Sequence, residues 1–182
     1  MSSHTVMLKG QNVSLRPVLA RDVDRMYEVH MDISNRGDYW PLDVDSEVAF
    51  KKEFNETGFW TAERGFLVMV DESDRPIGDI GFFRPVPYWN ATLEIFYRVY
   101  DESQRGKGVT TEALGLLVAY LFETKACRRI QLGIDTENKA SRRVAEKAGF
   151  THEGTMREAW FNRGSYRNVE VYSILRGEAQ SS

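Results

Sequence analysis

A strand-like segment, a turn with two glycines and a helix-like segment follow one another between Thr92 and Leu121. Residues 92–99 have the apolar character of a strand, and the apolar residues from Leu114 to Leu121 repeat with helical spacing. Gly106 and Gly108 lie between the two segments. A strand that leads through a short turn into a helix places the helix on the face of a sheet. This order predicts an α/β fold, more closely an α+β mixed sheet.

The rest of the chain repeats the alternation of strands and helices without an internal repeat or a low-complexity linker. A polar turn at 71–75 joins two strands into a predicted hairpin, and a loop with Pro85, Pro87 and Trp89 precedes residue 92. Further strands are predicted at 13–18, 66–70, 76–83, 129–134, 155–161 and 169–175, and helices at 20–31, in the second half of 34–65 and at 139–147. We therefore expect one sheet with helices packed on it.

Composition limits the class of protein. The chain has 182 residues, of which 42% are hydrophobic, which suits one domain over 1–182, with flexible ends expected at 1–8 and 177–182. Its formal charge of -3 gives no overall basic field, so no nucleic-acid partner is expected. Cys127 is the only cysteine, and no apolar run approaches the roughly 18 residues of a membrane span. We expect a soluble, cytoplasmic protein without a membrane partner.

The glycine-bearing turn is a candidate anion site. Gly106 and Gly108 allow bare backbone amides to approach a ligand at the positive end of the following helix dipole, and Arg105 and Lys107 add local positive charge. A tight connection without a ligand is the alternative reading of Gly-x-Gly. The spacing matches neither a Walker loop nor a dinucleotide-binding fingerprint. Neighbouring sequence has to decide between a phosphate site and a plain connection.

Two ordered motifs resemble the GNAT acetyltransferase superfamily. Residues 93–99 and 103–114 resemble its fourth strand and acetyl-CoA loop, except that Thr110 stands where the family has a small residue. Residues 138–150 resemble the RimJ/RimL-type branch, as do Gly154, Arg157, the segment 164–168 and Tyr172. The resemblance covers nearly the whole chain.

The resemblance implies a fold and a cofactor. The fold would be a single, central, mostly antiparallel sheet with its fourth and fifth strands splayed apart and with flanking helices. Acetyl-CoA would be the co-substrate, with no metal. Backbone groups near Phe96, Tyr97 and Arg98 would bind the pantetheine arm, and Asn138 and Ser141 would also contact the cofactor. The pyrophosphate would lie on the loop formed by Arg105, Gly106, Lys107, Gly108, Val109 and Thr110.

The catalytic candidates are Glu94 and Ser141. An acidic residue inside an apolar strand is costly to bury unless it is hydrogen-bonded or functional, so Glu94 is a candidate general base acting through water. The alternative is a solvent-facing or structurally paired carboxylate. The tyrosine that many family members use as a general acid corresponds to Ala145, so the resemblance leaves Ser141 as the nearest candidate. A serine at a helix start is also typical of a cap or a surface hydroxyl.

The acceptor site is harder to read from the sequence. Tyr39, Trp40 and Trp60 are candidates for an acceptor groove, together with Phe59, and nearby acidic residues would attract a cationic amine: Asp38, Asp43, Asp45 and Glu47. Aromatic residues in such a segment are equally explained as core. His4, His30 and His152 are too scattered in sequence to indicate a metal site.

The expected activity is acetyl transfer from acetyl-CoA to a primary amine by direct transfer in a ternary complex. The acceptor would be a protein N-terminus of the ribosomal-protein type or a small-molecule amine. The alternative is a non-catalytic acyl-CoA-binding or regulatory module that keeps the loop without turnover. The RimJ/RimL-type branch includes dimers, so the resemblance leaves monomer and homodimer open.

Overall fold

The computed structural model describes residues 7–85, 91–100 and 102–179; Pro87 and Trp89 of the predicted loop lie outside them. Within these ranges the chain forms eight strands and five α-helices. The strands are β1 (Leu8–Lys9), β2 (Ser14–Pro17), β3 (Arg64–Val70), β4 (Pro76–Phe83), β5 (Thr92–Val99), β6 (Arg129–Asp135), β7 (Thr151–Asn162) and β8 (Ser165–Leu175). The helices are α1 (Ala20–Met31), α2 (Glu47–Thr57), α3 (Val109–Thr124), α4 (Lys139–Lys147) and α5 (Arg176–Ala179).

All eight strands belong to one sheet in the order β1-β2-β3-β4-β5-β6-β8-β7. Every neighbouring pair is antiparallel except β5 and β6, which are parallel. The β5–β6 ladder pairs Thr92, Leu93 and Glu94 with the first three residues of β6, and within the described chain it goes no further. The predicted mixed, mostly antiparallel sheet with two splayed strands is therefore confirmed.

Helices cover both faces of the sheet. Alternate residues of β3 point to opposite faces, so Leu67 and Met69 join the core under α3, whereas Val68 and Val70 join the core under α1 and α2. In α3 every fourth residue from Val109 to Leu121 is buried, namely Val109, Ala113, Leu117 and Leu121. Full burial of a leucine such as Leu117 contributes about 1.5–3 kcal/mol, which helps to hold α3 on the sheet.

The strands and helices predicted from the sequence are present in the structure. The two C-terminal strands are longer than predicted, and the structure has two short elements that the hydrophobic pattern does not indicate. β7 begins at Thr151 and not at residue 155, and its pairing with β8 shifts register twice, which removes the regular alternation of buried and exposed residues. β1 has two residues and α5 four, too few for a periodic pattern. Of the ends expected to be flexible, Leu8 lies in β1 and 177–179 lie in α5.

Candidate active site

The turn between β5 and α3 has the backbone of an anion cradle. Gly106 and Gly108 have φ values of +75° and +81°, a conformation that side chains with a Cβ rarely adopt. A Cβ placed on either glycine would meet no described atom within 4 Å, so the space in front of the loop is open. Gly108 is the N-cap of α3, and as a glycine it has no side chain to accept a hydrogen bond from the first turn of the helix. The first N–H groups of α3 are therefore available to an anion such as a pyrophosphate.

The other members of the loop surround these amides. Val109 and Thr110 begin the first turn of α3, and the buried Val109 fixes that turn to the core. The Arg105 guanidinium lies 2.7 Å from Glu102 and is half exposed. Lys107 is exposed beside Gly108. The structure thus brings all six predicted loop residues to one helix end, with the two side-chain cations at its rim.

A groove of about 820 Å³ opens beside this helix end, and the sequence gives no sign of its second wall. That wall is the β1–β2 turn, residues 9–12, which lies about a hundred residues earlier in the chain. Glu112 in the first turn of α3 accepts hydrogen bonds from the backbone N–H of Asn12 at 3.2 Å and from its side-chain amide at 3.1 Å. Lys9, Lys107 and Lys147 also line the groove, so its charge favours a polyanionic ligand.

The splay of β5 and β6 supplies the second predicted feature of a cofactor cleft. Beyond Glu94 the described part of β6 no longer pairs with β5, while β4 continues to pair with β5 as far as Val99. The edge of β5 that faces β6 therefore leaves backbone groups free between residues 95 and 99. Phe96, Tyr97 and Arg98 lie in that stretch, where an extended pantetheine chain could pair with them as a strand would.

Ser141 and Asn138 lie on the other side of this gap. Asn138 is the N-cap of α4, and its side-chain oxygen accepts the backbone N–H of Ser141 at 3.1 Å. The Ser141 hydroxyl is thus not the cap; it lies 2.6 Å from the hydroxyl of Tyr97, which reaches across from β5. Burial raises the pKa of Tyr97 to about 12, and the hydrogen bond with Ser141 offsets only part of that effect.

Glu94 lies at the point where the two strands separate. Its side-chain oxygen accepts a hydrogen bond from Gln131 of β6 at 2.7 Å. A Cβ on Gly133 would lie 3.3 Å from the other carboxylate oxygen, so the glycine keeps that side open. Burial raises the pKa of the Glu94 carboxyl above its ordinary value, and the hydrogen bond from Gln131 only partly opposes this. A partly buried carboxylate with a raised pKa has the properties of a general base.

Trp40 forms a wall on the side of β5 that faces α1 and α2. Its ring centroid lies 6.3 Å from that of Phe96, and the Arg98 guanidinium carbon lies 4.8 Å from the Trp40 ring. Tyr39 donates a hydrogen bond to the carbonyl of Glu137 at 3.0 Å, in the loop just before α4. The consecutive residues Tyr39 and Trp40 therefore contact the two sides of the splay, the loop before α4 and β5 respectively.

We call residues 37–43 the strap, because they cross from α1 to the β7–β8 hairpin. Arg36 donates to the carbonyls of Pro41 and Asp43, both at 2.6 Å. Asn162 donates to the carbonyl of Asp38 at 3.2 Å, and Arg163 donates to the carbonyl of Gly37 at 2.8 Å. These bonds hold the strap at both ends of its path over the cleft.

Trp60 is not brought to this cleft. It packs edge-on against Phe82 at 5.3 Å and lies 6.2 Å from Tyr120, in the second half of α3 and away from Gly108. Phe59 is buried among the aromatic side chains under α1 and α2. Trp60 and Phe59 therefore pack in the core, as the alternative interpretation of the aromatic residues expected. The acidic side chains of Asp38, Asp43, Asp45 and Glu47 are all exposed.

Sequence reasoning missed a buried charge cluster behind Trp40. Asp79 of β4 is fully buried, 2.8 Å from His30 Nε2 and 3.1 Å from Arg98 Nη2. Burial opposes ionisation of Asp79, but the His30 hydrogen bond and the Arg98 charge outweigh it and lower the pKa of that carboxyl. The signal was the same as for Glu94, namely an acidic residue within an apolar strand. The sequence drew attention to His30 only in relation to a metal site.

Among the described residues, no group of three or more His, Cys, Asp and Glu side chains is arranged to hold a metal ion. None of the helices that these residues form has the length and apolar content needed to cross a membrane.

Comparison with known proteins adds independent evidence. Residues 12–151 match the profile of the family described as "Acetyltransferase (GNAT) domain". The chain is 30% identical over 178 residues to the probable N-acetyltransferase YjcK of Bacillus subtilis (strain 168), covering 93% of this chain and 97% of that one. It is 32% identical over 138 residues, 75% of each chain, to the ribosomal-protein-serine acetyltransferase of Escherichia coli (strain K12).

A solved structure has the same fold. The spermidine N-acetyltransferase from Vibrio cholerae, in complex with CoA and spermine, superimposes with a TM-score of 0.80. The sequence identity is 21%, and the match covers 94% of this chain and 99% of that one.

Proposed function

Because this chain belongs to the GNAT acetyltransferase family and is an acetyl-CoA-dependent N-acetyltransferase, we propose that its acceptor is the α-amine of a peptide or protein N-terminus. The similarity of its sequence to RimL/RimJ-type proteins confirms the branch of the family that residues 138–150 predict. The proposal concerns the acceptor and the roles of individual residues.

The similarity to an enzyme that acetylates a protein carries the choice of acceptor. The chain is 32% identical to the ribosomal-protein-serine acetyltransferase of Escherichia coli over 75% of each chain. In the cleft wall the Arg98 guanidinium lies against Trp40, and its ion pair with Asp79 at 3.1 Å balances its charge. Among the described residues, the buried part of this wall therefore offers no unpaired carboxylate to a polyamine, which carries several positive charges.

A polyamine is the second candidate acceptor. Asp38, Asp43, Asp45 and Glu47 are exposed along the strap and the start of α2, where they would attract a polycation. The Vibrio cholerae relative is a spermidine acetyltransferase, although its identity of 21% supports the fold only. These acidic residues face solvent, and the identity of 32% to the ribosomal-protein-serine acetyltransferase favours the peptide.

Acetyl-CoA, when bound, supplies the acetyl thioester, and the residues of the chain provide binding and proton transfer. The amides at Gly106 and Gly108 bind phosphate, and the free edge of β5 at Phe96–Arg98 binds the pantetheine arm. Glu94 accepts a proton from the acceptor amine, directly or through water, so that the nitrogen attacks as a neutral nucleophile. Ser141 donates a proton to the departing sulfur.

Thiol release with a matched panel of acceptors tests the proposal. Hexapeptides that begin with serine, alanine or methionine are compared with spermidine and spermine, and N-acetylated copies of the peptides are the controls. We expect the highest kcat/KM with a free peptide and no release with its blocked copy. A higher kcat/KM for a polyamine would contradict the proposed acceptor. Tight CoA binding without acceptor-dependent release across the panel would favour the non-catalytic module.

A further inference from the structure

Tyr97 and Ser141 form a hydrogen-bonded pair across the gap between β5 and α4. Their hydroxyl oxygens are 2.6 Å apart, and the Tyr97 hydroxyl also lies 3.4 Å from the Ser141 carbonyl. Ala145, where many relatives carry a catalytic tyrosine, is fully buried one turn further along α4. A tyrosine hydroxyl therefore reaches this region of the cleft from the opposite strand.

The chemistry of the two hydroxyl groups indicates which of them donates. A phenol, with an ordinary pKa of about 10, is a much stronger donor than an aliphatic alcohol. The Ser141 carbonyl can only accept, so a proton on Tyr97 satisfies both nearby oxygens. With its pKa raised to about 12, Tyr97 keeps that proton at neutral pH. When Tyr97 donates, the proton of Ser141 remains free for another acceptor.

We propose that Tyr97 is a positioning residue that holds Ser141 Oγ as an acceptor and so directs the Ser141 proton into the cleft, toward the sulfur that departs during acetyl transfer. The inference rests on the proposed role of Ser141. As the new C–N bond forms and the C–S bond breaks, the electron pair of that bond moves to sulfur. Ser141 gives its proton to sulfur as Tyr97 gives its proton to Ser141 Oγ, and the acceptor nitrogen gives a proton to Glu94. Transfer of that proton through solvent restores Tyr97.

Single-turnover kinetics of Tyr97→Phe, Ser141→Ala and the double variant test this coupling, with acetyl-CoA and a serine-initiated hexapeptide. We expect Ser141→Ala to lower the rate constant about 100-fold, as loss of a general acid does. Tyr97→Phe should lower it about ten-fold, because one hydrogen bond that fixes Ser141 is lost. The double variant should be no slower than Ser141→Ala, since Tyr97 acts only through Ser141.

Controls separate positioning from packing. Tyr120→Phe removes a hydroxyl from a tyrosine on α3 beside Trp60 and should leave rate and stability unchanged. Tyr97→Phe should leave the Kd for CoA and the Tm close to wild type. If Tyr97→Phe fails to fold, 3-fluorotyrosine at position 97 keeps the donor and should keep the rate.

The pKa of the CoA thiol in its complex with the protein is a readout that does not depend on turnover. A hydrogen bond to a thiolate lowers its pKa. The pH dependence of thiolate ultraviolet absorbance should therefore show a higher thiol pKa in both Tyr97→Phe and Ser141→Ala than in wild type.

The outcomes are distinguishable. An unchanged rate in Ser141→Ala would contradict the proposed function of Ser141 and the inference with it. If Ser141→Ala is slow, three results would overturn the inference about Tyr97 alone. They are an unchanged rate in Tyr97→Phe, losses that multiply in the double variant, and a thiol pKa that Tyr97→Phe does not change.

Discussion

Glu94 and Asp79 are both carboxylates within apolar strands, yet their surroundings move their pKa values in opposite directions. Burial raises the pKa of Glu94, whose hydrogen-bond partner is the neutral amide of Gln131. Asp79 is more deeply buried, but the His30 hydrogen bond and the Arg98 charge lower its pKa. Asp79 is therefore held as a permanent anion within the structure, whereas Glu94 is able to take up a proton.

Substitution of Glu94 by Gln tests its role as the base. Turnover should fall at neutral pH, and the deficit should shrink at high pH, where the acceptor amine deprotonates without help. In wild type the rate should also fall as the pH drops through the raised pKa of Glu94. The pH profile of kcat/KM is the measurement, and Glu123→Gln on the exposed side of α3 is the control. A profile identical to wild type would reject the assignment.

The same substitution should change stability with a defined sign. A carboxyl whose pKa is raised in the folded state stabilises the fold below its unfolded pKa and loses that contribution as pH rises through the folded value. At neutral pH the ionised Glu94 is thus a cost that Gln removes. We expect Glu94→Gln to raise the Tm at pH 7 relative to wild type, with the difference disappearing in acid.

Substitution of Gly108 by Asp tests the anion cradle. Aspartate tolerates a positive φ better than most residues, so the fold should persist. Its carboxylate would face the pyrophosphate at the start of α3, and we expect the Kd for CoA to rise at least about ten-fold, the effect of roughly 1.4 kcal/mol of repulsion. Calorimetric titration measures it. Gly115→Asp, an exposed site on the same helix, should bind CoA normally. Unchanged affinity in folded Gly108→Asp would contradict the loop assignment.

At the scale of elements, the strap and the β7–β8 hairpin act as one unit. Asn162 is 5% exposed and donates to the Asp38 and Trp40 carbonyls. We expect Asn162→Ala to raise the KM for the peptide acceptor several-fold, because loss of about 1 kcal/mol of hydrogen bonding loosens the wall that holds Trp40. The Kd for CoA should stay unchanged, because the phosphate loop is at the other end of the cleft.

The control for Asn162→Ala lies in the same turn. The Ser165 hydroxyl donates to the Asn162 carbonyl at 3.3 Å and makes no bond to the strap among the described residues, so Ser165→Ala should keep the wild-type KM. Steady-state kinetics at saturating acetyl-CoA compare the two variants. An increase in the Kd for CoA that matches the increase in KM would mean that Asn162 supports the fold as a whole.

For the molecule as a whole, the sequence predicts what is local in the chain. β5, the loop from Arg105 to Thr110 and the start of α3 are consecutive, so one stretch of sequence shows them together. The pairing of Tyr97 with Ser141 joins residues 44 positions apart, and the turn at residues 9–12 meets α3 over about a hundred. Such contacts depend on the sheet order, which no local pattern contains.

Trp40 and Trp60 show that residue type also limits what can be predicted from the sequence. Both follow an aromatic residue in the sequence, and residue type alone does not separate a cleft wall from a core side chain. The difference is made by their neighbours in space, Phe96 and Arg98 for one and Phe82 and Tyr120 for the other. The loop from Arg105 to Thr110 can therefore be recognised in the sequence as one continuous motif, whereas the wall formed by Trp40 cannot.

The strap has a consequence for how such a protein can diversify. The bonds from Arg36, Asn162 and Arg163 all end on main-chain carbonyl oxygens, which every amino acid provides. These bonds fix much of the path of the strap without its own side chains, while Tyr39 adds a hydrogen bond to the Glu137 carbonyl and Trp40 packs against Phe96. A substitution of Tyr39 or Trp40 therefore removes one of several attachments and leaves the others in place, so the side chains that the strap presents to the cleft can change by single steps while the loop keeps its course.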